Sequence, residues 1–238
     1  MPANDLVRPM SVEICDRCGG GGWVPRDPEV PRSPRVPCVC QRNRARLARY
    51  EACQIPRRHA KSTFKTYQPL TVALAKVRQR AEVYTKDWLP KQPNRGLVLY
   101  GDVGRGKTHL LCAMLRELVL ERGVSARFVE FSLMIAEIKS GFDRGEGYGK
   151  LMDELVNVDL LAIDELGKGR NTEFEGQVID EVVSRRYNAE RPLLATTNYS
   201  PGASGPIGLA DRLGPRVFSR LRETADFIEV PGEDYRVR

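Results

Sequence analysis

The sequence predicts an α/β fold centred on a five-stranded parallel sheet with helices on both faces. From residue 97 onward, short apolar runs alternate with helix-like segments, a pattern typical of parallel sheets joined by helical crossovers. The first apolar run leads directly into a glycine-rich turn and then into a helical pattern. Clustered cysteines ahead of this region indicate a small metal-stabilised domain on the N-terminal side of the sheet.

The expected strands and helices follow one another in regular order between residues 95 and 238. Strands are predicted at residues 97–100, 126–131, 159–163, 192–197 and 226–230. Helices are predicted at residues 107–122, 132–140, 172–188 and 209–224. The glycine-rich segment 141–149 is predicted to be a loop. Cys112, within the first of these helices, is expected to be a small core residue.

Length and composition narrow the class of protein. A chain of 238 residues can form one well-packed domain with a small appendage. The net charge of +7 favours an anionic partner. No apolar run approaches the ~18 residues of a membrane helix, and the first residues lack the pattern of a signal peptide. We therefore expect a cytoplasmic protein without membrane contact, in which clustered cysteines bind metal more often than they form disulfides.

Four cysteines in two close pairs form the candidate metal site. Cys15 and Cys18 are followed by four glycines, and nineteen residues separate Cys18 from the second pair, Cys38 and Cys40. Two such pairs can surround one Zn²⁺ tetrahedrally, and a segment this short needs metal to fold. The alternatives are that Cys53 replaces one ligand, or that the thiols are free or form a redox pair. We predict a zinc-binding N-terminal domain at residues 1–58, without an open coordination position for catalysis.

A basic segment follows the cysteines. Residues 41–65 carry eight Lys and Arg side chains against a single acid, Glu51. The segment either contacts nucleic acid phosphates or an acidic protein surface, or it is simply a solvated basic helix. Residues 59–94 are interpreted as a linker followed by a helix, since 71–89 shows helical periodicity between Pro69 and Pro90.

The glycine-rich turn is a phosphate-binding loop. Residues 101–108 read G-D-V-G-R-G-K-T, in the strand–turn–helix setting that this motif requires. Lys107 is expected to reach the β- and γ-phosphates and Thr108 to coordinate Mg²⁺. The residues expected to bind the nucleotide are Gly101, Asp102, Val103, Gly104, Arg105, Gly106, Lys107, Thr108 and His109.

Polar residues end two later strands at the same predicted edge of the sheet. Asp164 and Glu165 follow the apolar run L-L-A-I. We expect Asp164 to hold Mg²⁺ through its hydration shell and Glu165 to polarise the attacking water. Asn198 follows the next strand; it either positions the water and senses the γ-phosphate, or merely caps the turn.

These motifs together resemble the AAA+ ATPase core, specifically the bacterial replicative-helicase loaders of the DnaC/DnaI type and the related IstB transposition helpers. The resemblance covers about residues 60–238. It implies an ATP-dependent switch that assembles into a ring or spiral and has no substantial helical lid, with Asn198 as sensor 1 and Arg220 as the arginine finger. Sensor 2 is unassigned; Arg216 and Arg236 are candidates.

The resemblance also implies the partners. The cysteine-rich segment is similar to the helicase-binding N-terminal domains of some loaders, so the expected partner is a replicative helicase of the DnaB type. The region 132–157 is expected to contact single-stranded DNA, with Phe142 and Tyr148 either stacking on bases or packing locally. The alternatives are an IstB-type helper of a transposase, a small-molecule kinase, and a zinc adaptor with a structural nucleotide site.

Overall fold

The computed structural model describes residues 15–89, 92–143, 149–202 and 207–235. The N-terminal part begins with a hairpin of β1 (Trp23–Pro25) and β2 (Arg35–Pro37), which pair antiparallel. Three helical segments follow: α1 (Val39–Ala52), a short 3-10 helix (Arg57–His59) and α2 (Val72–Asp87). The hairpin was not predicted, because strands of three residues leave too short a pattern to recognise.

The larger part alternates strands and helices. Its strands are β3 (Gly96–Tyr100), β4 (Ala126–Glu130), β5 (Leu160–Asp164), β6 (Leu193–Thr197) and β7 (Ala225–Glu229). Its helices are α3 (Lys107–Arg122), α4 (Phe131–Asp143), α5 (Gly149–Asn157), α6 (Glu173–Asn188), α7 (Leu209–Leu213) and α8 (Pro215–Thr224). The strands form one parallel sheet in the order β4-β5-β6-β3-β7, which confirms the predicted fold class.

Each face of the sheet is covered by its own core. Alternate residues of β3 point to opposite faces, so Leu97 and Leu99 join the core beneath α2 and α3, whereas Val98 joins the core beneath α4 to α8. Helix α3 is buried along most of its circumference, between the sheet and helices α1 and α2. Each fully buried leucine on it contributes about 1.5–3 kcal/mol, which makes α3 a rigid base for the turn before it.

The structure corrects two predicted segments. The helix expected at 209–224 is divided into α7 and α8, because Gly214 has a φ of 80° and Pro215 opens the second helix. The loop expected at 141–149 is helical at both of its described ends, since α4 continues to Asp143 and α5 begins at Gly149. The sequence analysis missed α5 because glycines at its start masked the apolar period that follows.

Helix α1 contacts the larger, sheet-containing part of the chain rather than the hairpin alone. Cys53, at its C-terminal end, is 0% exposed and belongs to the core beneath α3. The N–H of Phe128 in β4 donates to the carbonyl of Cys53 at 2.8 Å, and the Arg116 guanidinium of α3 lies over the Tyr50 ring. Packing is therefore continuous across the predicted boundary at residues 58 and 59. Cys112 is fully buried in α3.

Candidate nucleotide site and cysteine cluster

The carboxyl ends of β3, β6 and β5, which lie side by side, meet the turn before α3. Within this turn Gly104 and Gly106 have φ values of 76° and 80°, which residues with a side chain rarely adopt. A Cβ on Gly106 would also lie 2.8 Å from Cε2 of Tyr67. The turn thus requires glycine, and it ends at the N-terminus of α3, where the helix dipole favours anions.

Lys107, the first residue of α3, is 7% exposed. Its ammonium donates to the carbonyl oxygens of Gly101 at 2.7 Å and Asp102 at 2.6 Å. Burial, aided by the nearby Arg105, lowers the pKa of Lys107 to about 8. A desolvated ammonium bonded only to carbonyls in the described structure is well suited to bind a polyphosphate, which supplies the opposite charge.

Asp164 joins three segments that are distant in sequence. The Thr108 hydroxyl, next to Lys107, donates to the two carboxylate oxygens of Asp164 at 3.0 and 3.1 Å. The Thr196 hydroxyl of β6 donates to the same carboxylate at 2.5 Å. Burial raises the pKa of Asp164, and the two hydroxyl donors oppose that rise. A hydroxyl and a carboxylate side by side are the hard oxygen ligands that Mg²⁺ prefers, so the donor set fits that ion.

Glu165 follows Asp164 in a left-handed backbone conformation with a φ of 55°. Its N–H donates to the Thr196 hydroxyl at 2.9 Å, and its carboxylate accepts from the Lys168 ammonium at 2.5 Å. Left-handed backbone at a residue with a side chain costs about 1 kcal/mol or more and is concentrated at functional sites. The Glu165 charge lies near enough to Asp164 to contribute to the raised pKa of that carboxyl.

Two other predicted residues border the same edge. Asn198 directly follows β6 and is half-buried, and because β6 lies between β5 and β3, Asn198 lies between the acids and the turn. His109 Nε2 lies 3.0 Å from the carbonyl oxygen of Thr63 and 3.2 Å from the hydroxyl of Thr66. His109 therefore ties α3 to the segment before α2. Among the other predicted residues, Arg105 pairs with Asp102, and Val103 is exposed.

The four cysteine sulfurs Cys15, Cys18, Cys38 and Cys40 all lie within 4.8 Å of one another. Two of the Sγ–Sγ distances are 3.8 Å and 3.5 Å, close to the edge of about 3.8 Å that a tetrahedron of 2.3 Å zinc–sulfur bonds requires. The N–H of Gly22 donates to the Cys18 sulfur at 3.2 Å and lowers the pKa of that thiol to about 7. The group fits Zn²⁺. Cys53 lies apart from it in the core.

Residues 39–238 match the family described as IstB-like ATP-binding protein. The chain belongs to this family. The match begins with α1 and includes the whole sheet, and it agrees with the resemblance to DnaC/IstB-type AAA+ ATPases that the motifs indicated. The family is one of ATP-binding proteins.

Relatives of this IstB-like protein include DnaC, the replicative helicase loader of Escherichia coli K12. DnaC is 32% identical over 151 residues, which span 63% of this chain and 57% of DnaC. An ATP-binding protein in an insertion sequence of Mycobacterium tuberculosis is 28% identical over 152 residues, spanning 63% of this chain and 59% of that protein. The aligned part thus covers less than two thirds of either relative.

Solved structures agree on the fold. A crystal structure of the DnaC helicase loader superposes with a TM-score of 0.67 at 27% identity, covering 74% of this chain and 99% of that one. A DnaI structure superposes with a TM-score of 0.60 at 22% identity, covering 76% of this chain and 94% of that one. The DnaI likeness shows the fold alone.

Arg220 of the IstB-like chain lies on α8 and contacts α6. Its guanidinium donates to the Asp180 carboxylate at 3.3 Å and to the Ser184 hydroxyl, and it lies over the Tyr187 ring. Arg216 is more exposed and pairs with the same Asp180 carboxylate. Within the described ranges, the recorded contacts of Arg220 do not include the phosphate loop. Arg236, Tyr148 and the side chain of Phe142 lie outside the described residues.

The sequence analysis missed several residues around the site. Thr196 received no role, although its hydroxyl contacts the Asp164 carboxylate at the end of β5 and the backbone N–H of Glu165. Tyr67 lies against the turn, and Tyr235 donates its N–H to the carbonyl of Gly104 at 3.1 Å and its hydroxyl to the carbonyl of Gln68. The Thr–Thr pair ending β6 was a possible signal for Thr196. The tyrosines reach the site only through tertiary packing.

In the described ranges, no helix combines the length and apolar composition needed to cross a membrane.

Proposed function

We propose that this protein hydrolyses ATP with Mg²⁺ and uses that cycle to place a replicative helicase on single-stranded DNA. The observation that carries the ATPase proposal is the joining of Thr108, Asp164 and Thr196 beside the buried Lys107. A turn with a purely structural role would not require a buried carboxylate that accepts hydrogen bonds from hydroxyls beside it. These groups form the arrangement that phosphoryl transfer to water needs.

The proposed roles follow from the contacts. The backbone amides of residues 101–108 receive the phosphates, and Lys107 exchanges its two carbonyl partners for β- and γ-phosphate oxygens. Thr108 and Asp164 would hold Mg²⁺, which supplies charge neutralisation at the phosphates. Glu165 orients the attacking water and accepts its proton, and Asn198 contacts the γ-phosphate or that water. Thr196 keeps Asp164 and the backbone of Glu165 in place.

The helicase-loading part of the proposal is supported by the named relatives and by the cysteine cluster. DnaC is a replicative helicase loader, and its solved structure is covered almost completely by this chain. We propose that the four cysteines bind structural Zn²⁺ and form a docking module within residues 1–58. The hairpin of this module exposes two large apolar residues, Trp23 at 44% and Val30 at 51%, which suit a protein contact.

Co-sedimentation with the host's replicative helicase, with and without ATP, tests this proposal. The wild-type chain should bind, and the double variant Trp23→Ser, Val30→Ser should lose most of that binding while its nucleotide affinity is unchanged. Val72→Ser is the matched control, because Val72 is equally apolar and 75% exposed on α2. Absence of helicase binding by the wild type under both conditions would refute the loader proposal.

A transposition helper is the second candidate, and two findings favour it: the IstB-like family match and the relative in an insertion sequence. The same ATP cycle would then act on a transposase. A transposase that binds this chain in an ATP-dependent manner, together with no binding to the helicase, would establish this alternative.

We also propose that the protein assembles into a ring or spiral in which Arg220 faces the γ-phosphate of a neighbouring subunit. Arg220 lies on α8 and pairs with Asp180 of α6, so among the described residues it makes no recorded contact with the phosphate loop of its own chain. Arg220→Ala should preserve ATP binding and reduce turnover. Mixing it with Glu165→Gln should restore some activity, since some interfaces then combine an intact arginine with an intact glutamate; no recovery at any ratio would contradict the assembly.

A further inference from the structure

A cavity on the opposite side of the molecule from the ATP site contains an unusual arginine. It has a volume of 500 Å³ and lies between the C-terminal end of α1, the start of β4 and the C-terminal end of α5. The strands point their carboxyl ends to the nucleotide, so the start of β4 lies at the other edge of the sheet. The residues that line the cavity include Arg49, Ala52, Gln54, Ser125, Arg127 and Asn157.

Arg127 is 7% exposed, yet Nε and Nη1 of its guanidinium have no hydrogen-bond partner among the described residues. An arginine stays charged in a protein, and a buried charge without an acceptor is costly. Glu154 also lines the cavity, but within the described residues it accepts no hydrogen bond from Nε or Nη1 of Arg127. These two nitrogens therefore lack an acceptor, which an anionic ligand can provide.

A row of exposed residues on α1 leads to this cavity. Arg42, Ala45, Arg49 and Ala52 recur at intervals of three and four residues, so they share one side of the helix, and all four are exposed. The two arginines are about 10 Å apart along the helix axis, and the small side chains of Ala45 between them and Ala52 after them allow a chain to approach closely. Arg49 and Ala52 belong both to this row and to the cavity wall.

We propose that the row and the cavity bind the backbone of single-stranded DNA, with one phosphate held between Arg49 and Arg127. A guanidinium can donate two parallel hydrogen bonds to the oxygens of one phosphate. A nucleic acid backbone, with its regularly spaced phosphates, matches a row of arginines better than a single carboxylate does. Gln54, Ser125 and Asn157 offer uncharged hydrogen-bond donors beside them. The choice of DNA as the ligand rests on the proposed function. Because the site lies on the opposite side of the molecule, DNA bound there would leave the ATP site free.

Fluorescence anisotropy with a labelled oligothymidylate at several salt concentrations tests the site in the full-length protein. Arg49→Gln and Arg127→Met should each weaken binding roughly tenfold and reduce the slope of log K against log salt by about 0.7, the value for one phosphate contact on a single strand. Nucleotide affinity should be unchanged. Arg78→Gln removes an equal charge from α2, where Arg78 pairs with Glu82, and should leave DNA binding within about twofold.

The outcomes separate the site from the wider function. If the wild type binds the oligonucleotide and both variants keep its affinity and salt slope, the site is wrong although DNA remains a partner. If the wild type does not bind DNA, the site and the DNA part of the proposed function both fail. If the variants lose only helicase binding, the cavity is a protein-docking site and the proposal is overturned. Should Arg127→Met fail to fold, Arg49→Gln decides alone, because Arg49 is exposed.

Discussion

The phosphate site and the cysteine cluster each bring a few side chains together. The two groups differ in what keeps their side chains in place. At the phosphate site, Lys107, Asp164 and Thr196 come from separate segments and are buried between two cores. At the cysteine cluster, Cys38 is the one buried residue among residues 15–40 of the described chain, and the strands have three residues each. Packing therefore builds the first site before any ligand arrives.

The second site has almost no packing to build it. Small segments without a core are stabilised by the metal itself, so the binding free energy is also folding free energy. The comparison implies that a substitution at the phosphate site changes ligand binding or turnover with little loss of structure, whereas removal of metal changes structure locally. The predictions below test this difference, beginning with the largest effect.

Glu165→Gln should produce the largest change. The amide keeps the size of the side chain and its hydrogen-bonding ability but accepts no proton from water, so turnover should fall by roughly 10²–10⁴-fold. ATP affinity should stay close to that of the wild type because Lys107 and Thr108 are untouched. Steady-state phosphate release and equilibrium binding of a nucleotide analogue measure the two quantities. Unchanged turnover would remove Glu165 from the proposed mechanism and favour a structural nucleotide site.

Lys107→Ala should weaken nucleotide binding by about 100-fold, since it removes a buried charge that makes two or more charge-assisted hydrogen bonds. The melting temperature should change little, because the ammonium has only carbonyl partners to lose. Titration with a fluorescent ATP analogue gives the affinity, and near-normal binding would contradict the assignment of the phosphate loop.

Whether a feature could be predicted from the sequence depends on how far apart along the chain its interacting residues lie. The glycine turn and α3 were predicted at the correct residues because glycines, lysine and threonine at fixed spacing determine that turn locally. The five parallel strands were predicted from the alternation of strands and helices, whereas their order β4-β5-β6-β3-β7 was not predicted. Cys15, Cys18, Cys38 and Cys40 were found by spacing alone, since a four-cysteine site is encoded in two short pairs.

What the sequence did not predict depends on contacts between distant segments. The Thr–Thr pair places a hydroxyl at the end of β6, but it does not indicate that Thr196 meets Asp164, and nothing near Cys53 indicates that its carbonyl accepts from Phe128. The pairing of Arg220 with Asp180 likewise joins α8 to α6, which are separated in the chain by β6 and α7. These contacts arise from the way helices pack on the sheet, which residue patterns within one segment do not specify.

The pH dependence of nucleotide binding should be moderate and should originate at Lys107. Its pKa in the structure is about 8, and phosphate bound beside it favours the charged form and raises that pKa. Binding therefore takes up a proton above pH 8, and affinity should fall by up to tenfold for each further pH unit, with no contribution from Lys107 well below pH 8. Lys107→Arg stays charged throughout and should lose this slope if it still binds; an identical slope in that variant would assign the effect to another group.

Of these changes, removal of metal should have the smallest effect on nucleotide affinity. Its effect on structure should be confined to the hairpin. Chelation leaves four thiols close together with few packing contacts to hold them, so trypsin should cut rapidly at Arg26 and Arg32, which are exposed between the cysteine pairs. Nucleotide affinity should change by less than about twofold, because α1 is attached to the core through Cys53 and Tyr50 independently of the sulfurs.

Cys15→Ser combined with Cys18→Ser is the matched genetic version of chelation, and it should reproduce the cleavage pattern without added chelator. Metal analysis of the wild type should find one Zn²⁺ per chain. If zinc is present but its removal abolishes nucleotide binding, the two regions are one cooperative unit and the contrast between them is wrong. If cleavage at Arg26 and Arg32 is already rapid in the zinc-loaded protein, the hairpin owes none of its order to the metal.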